Sequence, residues 1–115
     1  MDRQVIMNCL KSVANTFPPA TKIGNPTKWI VVMKKQQQPS LSNSKGGWQY
    51  FDILCYVDKG SILPLDGLLK KAKEALKPLK KKGLEFTGIE TQDFYDTELG
   101  AYMNSFEIRI PKEVR

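Results

Sequence analysis

The run Trp48-Gln49-Tyr50-Phe51-Asp52-Ile53-Leu54-Cys55-Tyr56-Val57-Asp58 alternates with a period of two. On a strand, Phe51, Ile53, Cys55 and Val57 share one face, and Trp48, Tyr50, Asp52, Leu54 and Tyr56 share the other. Both faces carry large apolar groups, so neither suits open water. A layer of helix can cover one of them. The aromatic face then needs packing within the domain or from a neighbouring subunit.

The helix that follows is plain. Over residues 64–79, Leu65, Leu68, Leu69, Ala72, Leu76 and Leu79 recur at helical spacing. Pro64 fits the first turn, where its missing N–H costs nothing, and Pro78 should distort the last one. Lys80-Lys81-Lys82 suits the negative end of the helix dipole, and Gly83 is a natural residue just past the terminus. Beyond it, 84–93 and 101–110 read as the arms of a β-hairpin. In the second arm Tyr102, Phe106, Ile108 and Ile110 face one way and Met103, Ser105, Glu107 and Arg109 the other. The tip runs from Tyr95 to Gly100.

Upstream, Lys28-Trp29-Ile30-Val31-Val32-Met33-Lys34 is a strand by β-branched content. Residues 3–16 form an apolar stripe of Val5, Ile6, Cys9, Leu10 and Val13, with Asp2 as N-cap and Phe17-Pro18-Pro19 as the stop. Residues 20–27 and 36–47 are polar and rich in turn residues, and the second stretch is long enough to be a flexible loop. The tail at 112–115 is expected to fray. The sequence therefore predicts an α+β fold in the order α-β-β-α-β-β: a mostly antiparallel four-stranded sheet with two helices on one face.

With 115 residues, 41% of them apolar, the chain suits a single domain over 1–115. It contains no histidine, which removes the usual base near neutral pH and the commonest metal ligand. Cys9 and Cys55 stand 46 positions apart in apolar surroundings and read as two buried, unpaired thiols. No GxSxG, GxGxxG or GxxxxGK[ST] pattern occurs. The acidic group Glu90, Asp93, Asp96 and Glu98 lacks calcium-loop spacing and reads first as a solvated hairpin tip, then as a protein-contact surface. We therefore expect no catalytic residue, no cofactor and no metal. No run approaches the roughly 20 apolar residues of a membrane helix, and Met1-Asp2-Arg3 does not open a signal peptide, so a cytoplasmic site of synthesis is expected.

The net charge of +6 is unevenly placed. Residues 59–82 hold eight lysines against Asp66 and Glu74, whereas 83–115 hold three basic and seven acidic residues. Lys70, Lys71, Lys73, Lys77, Lys80, Lys81 and Lys82 form a basic surface whose simplest reading is a solvated helix face. Docking to an acidic partner is the second reading and nucleic acid the third. Arginine, which supplies bidentate contacts to phosphates and bases, is scarce. Trp48, Tyr50 and Tyr56 suit packing or a subunit interface better than base stacking.

Three segments carry a family resemblance: Phe51 to Val57 leading through Asp58-Lys59-Gly60 into a helix; Gly88-Ile89-Glu90-Thr91-Gln92-Asp93-Phe94-Tyr95-Asp96; and Ala101 to Pro111. Together they resemble the tail terminator, or tail completion, proteins of long-tailed bacteriophages, over roughly residues 48–111. The N-terminal half is similar only in layout. The resemblance implies a non-enzymatic subunit that forms a ring, typically a hexamer. Such a ring caps the tail tube and joins it to the head connector, first in the host cytoplasm and then in the virion. Its interface candidates here are the lysines at 70–82, the acidic residues at 90–98, and Trp48, Tyr50 and Tyr56. Lysines and acids would meet between subunits. The competing expectations are a small basic nucleic-acid-binding protein, with binding steeply dependent on salt, and an adaptor or inhibitor of one host protein.

Overall fold

The structure is a computed structural model that describes residues 2–18, 27–35, 47–58 and 63–111. The expected loop at 36–47, Gly47 excepted, and the expected fraying at 112–115 lie outside the described residues.

The long strand is present as β3 (Trp48–Asp58), at the centre of the sheet. β2 (Lys28–Lys34) flanks it antiparallel, with Trp29 opposite Tyr56 and Val31 opposite Leu54. β6 (Ala101–Pro111) flanks it on the other side, from Trp48 opposite Pro111 to Asp58 opposite Ala101. The helices α1 (Arg3–Leu10) and α2 (Leu63–Leu76) pack on the face of Phe51, Ile53, Cys55 and Val57. Ile6, Leu10, Leu65, Leu68, Ala72 and Leu76 meet Ile30, Val32, Phe106 and Ile108 there in one core.

The expectation of a four-stranded antiparallel sheet is wrong. The sheet has six strands and is mixed, and the chain order is α-β-β-β-α-β-β-β with a 3₁₀ helix after α2. Two local events account for the difference. First, the N-terminal helix stops at Leu10 instead of 16. The Ser12 hydroxyl donates to the Cys9 carbonyl, a local bond that competes with helical pairing, and Val13, Asn15 and Thr16 are weak helix formers. Residues Asn15–Phe17 instead form β1, parallel to β2. Thr16 is then buried, donating to the Ala14 carbonyl at 3.0 Å, and Phe17 lies beside Val31.

Second, the first arm of the hairpin is broken into β4 (Glu85–Glu90) and β5 (Phe94–Asp96), both paired with β6. Phe86 faces Ile108, Glu90 faces Phe106 and Phe94 faces Met103, so the arm carries surplus residues that bulge out of the ladder. Gly88, at φ +84°, makes the first kink. At the second, Thr91 replaces the missing ladder. Its N–H donates to the Ser105 carbonyl and its Oγ1 accepts from the Ser105 N–H, each at 3.0 Å.

The end of the second helix follows its sequence signals. Pro78 sits where the α-helix tightens into the 3₁₀ helix Lys77–Lys82. Gly83 then adopts φ +105°, and its N–H reaches the carbonyls of Leu79 and Lys80.

Candidate interface surfaces

Alternation puts a second set of side chains on the sheet face opposite the helices. At one end of this face Trp29 stacks on Tyr56, with ring centroids 5.0 Å apart and planes 5° from parallel. Ala101 is buried beside them, and Phe17, Val31, Leu54 and Met103 are half-buried against the cluster. No helix residue contributes to this cluster among the described residues. Burial pushes the Tyr56 hydroxyl above its ordinary pKa, and the Asp96 carboxylate adds to the shift.

The other end of the same face is charged. Asp52 and Glu107 stand directly opposite each other on β3 and β6. Two facing carboxylates repel, and Lys35 resolves this by reaching both, at 3.4 Å from Asp52 and 2.5 Å from Glu107. The hydrogen bond to Glu107 is the main reason that Lys35 titrates above its ordinary range. Burial pushes Glu107 upward, but Lys35 and the Thr87 hydroxyl outweigh it and leave this carboxyl below its ordinary range. One row further on, the Arg109 guanidinium lies 4.0 Å from the centre of the Trp48 ring and bonds Glu85 through Nε at 2.9 Å. Tyr50 stands opposite Arg109 in the ladder. Sequence reasoning missed Lys35, Asp52, Glu107, Arg109 and Glu85. Their signal was available: acids and bases fall on the alternate positions of adjacent strands.

The lysine surface and the acidic hairpin are partly brought together within the chain. Lys73 pairs with Glu90 and lies 5.5 Å from the Phe106 ring centre. Lys80 lies 5.1 Å over the Phe86 ring. Lys70, Lys71, Lys77, Lys81 and Lys82 are exposed on α2 and the 3₁₀ helix, and none has an ion-pair partner among the described residues. Asp93 accepts from the Asn104 amide at 2.8 Å. Asp96 caps the hairpin turn, accepting from the N–H groups of Glu98 and Leu99 at 3.0 and 3.1 Å. Glu98 is exposed at the tip. The acids at 90–98 therefore divide into three with internal partners and one pointing outward. The same hairpin exposes Ile89, Phe94, Tyr95 and Leu99, a feature that its polar composition hid.

Among the described residues no three His, Cys, Asp or Glu side chains cluster to hold a metal ion. No described helix is long and apolar enough to cross a membrane. Cys55 is buried, and loss of solvation pushes its thiol up to about 12; Cys9 is only half-buried, and both are free. The expectation of two buried thiols thus holds for one of them.

No protein-family model matches the chain, and no curated protein matches it in sequence.

Proposed function

We propose that this chain is a structural, non-enzymatic subunit of a phage tail, forming a ring that caps the tail tube and joins it to the head connector. One observation carries the reading. The sheet has helices on one face and, on the other, an apolar strip of Phe17, Val31, Leu54 and Met103 beside a rigid Trp29–Tyr56 stack. A half-buried apolar strip on a broad sheet face suits contact with another subunit, as in an assembly of repeated units. The resemblance of residues 48–111 to tail terminator proteins supplies the kind of assembly, and the tube and connector proteins are the partners on the two faces of the ring.

The experiment is light scattering on sized fractions over a range of concentrations, alone and with the tail tube protein. A species of several 13.1 kDa chains, formed alone or on the tube, is the expected result. A chain that stays single under both conditions refutes the reading. Binding to duplex DNA that falls steeply with salt would favour the basic nucleic-acid-binding alternative instead.

A further inference from the structure

The strand register fixes where the two charged groups lie on the molecule. β3 and β6 are 11 residues each and pair along their whole length. At one end Trp48 pairs with Pro111, and Gly83 lies against Pro111. The 3₁₀ helix with Lys77, Lys80, Lys81 and Lys82 ends there. At the other end Asp58 pairs with Ala101, and the hairpin turn with Asp96 and Glu98 closes beside it. At that turn Asp93 and Asp96 have internal partners and Glu98 is exposed, whereas Glu85 lies at the lysine end and is held by Arg109. The lysines of the 3₁₀ helix and the acidic turn therefore lie at opposite ends of the β3–β6 ladder.

The acidic end is also the apolar one. Of the five exposed large hydrophobic residues among those described, Ile89, Phe94, Tyr95 and Leu99 belong to this hairpin, with 39 to 58% of their surface in water. The basic end offers a complement: Pro78 is exposed there, and lysine stems cover apolar groups while their ammonium heads stay wet. We infer that two copies of this chain join end to end, the hairpin tip around Phe94, Glu98 and Leu99 of one seating against the lysine end around Pro78, Lys81 and Lys82 of the next. Such a contact pairs unlike surfaces, so it repeats from copy to copy and closes into a ring when the rotation allows. This inference rests on the ring reading and specifies which surfaces meet.

A charge-swap pair tests it. One variant carries Lys81→Glu and Lys82→Glu, which cancels the charge of the lysine end and sets acids against the tip of the next copy. The other carries Gln92→Lys and Glu98→Lys, placing lysines at the tip where they would face the lysine end of the next copy; both side chains are exposed and leave the Asp93 and Asp96 bonds intact. Circular dichroism confirms that each variant folds. Each alone should need about tenfold more protein to assemble than the wild type, and an equal mixture should return to the wild-type midpoint. Unchanged midpoints in both single variants, or a mixture no better than its components, overturn the contact while leaving wild-type rings in place. A wild type that never assembles, alone or with the tube protein, removes both the contact and the ring. A wild-type chain that stays single and binds duplex DNA through Lys81 and Lys82 assigns that end to nucleic acid instead.

Discussion

Replacing Lys35 by Met removes the cation shared by Asp52 and Glu107 while keeping an apolar stem of similar reach. Glu107 is 7% exposed and Lys35 39% exposed. Breaking a fully buried pair costs about 3–5 kcal/mol, and the solvent around Lys35 reduces this to about 1–2 kcal/mol. The pH dependence makes the test sharper. With Lys35 present, the Glu107 pKa is depressed, so this group contributes stability above the unfolded value near 4.3 and loses it as pH falls through the folded value. Without Lys35, burial and the facing Asp52 are opposed by the Thr87 hydroxyl alone and raise it. The contribution then changes sign: the variant is penalised at neutral pH and recovers as Glu107 takes up its proton. Urea unfolding at pH 7 and pH 5 should show the gap between wild type and variant narrowing by about 0.5–1 kcal/mol. A cycle with Glu107→Gln should give a coupling of about 1–2 kcal/mol. A gap independent of pH, or a coupling below about 0.3 kcal/mol, refutes the shared-cation account.

Three further outcomes are expected. Gly83→Ala should cost about 1–2 kcal/mol, because φ is +105° and a Cβ there would stand 2.7 Å from Pro111 Cγ; thermal melts of Gly83→Ala with and without Pro111→Ala separate the two causes. A thiol reagent should label Cys9 in the folded protein and reach Cys55 only after unfolding; a folded pKa raised to about 12 also means that stability held below the ordinary thiol pKa of about 8.5 declines as pH rises from there, which alkaline unfolding curves will show. Thr91→Val should cost about 1 kcal/mol and speed amide exchange at Ser105, whose N–H loses one of its two acceptors and keeps only Asn104 Oδ1; Thr91→Ser should restore protection.

The regular parts of the fold were legible because period and punctuation agreed. β3, β2 and the second helix followed from alternation, β-branched content and leucine spacing, and the helix end from Pro78 and Gly83. β1 was not legible, because Asn15-Thr16-Phe17 is a short segment between an apolar helical stripe and a proline stop, and only the neighbouring β2 makes it a strand. The break in the hairpin was hidden for a related reason: Thr91 takes the role of backbone through its side chain, and no local pattern announces that. Of the surface residues, the lysines and acids were found by charge alone. Which were already engaged, as Lys73 with Glu90 and Asp96 with its turn, depends on register and became visible only in three dimensions.

The interrupted strand along β6 has a meaning beyond its geometry. A straight outer strand offers a continuous row of open peptide groups, and strangers can add to it without limit. Here two kinks and a three-residue finish spoil that template along one margin of the sheet. The chain is thereby protected on that side from adding strands of its own kind into a fibre, and any contact made along this margin falls to side chains.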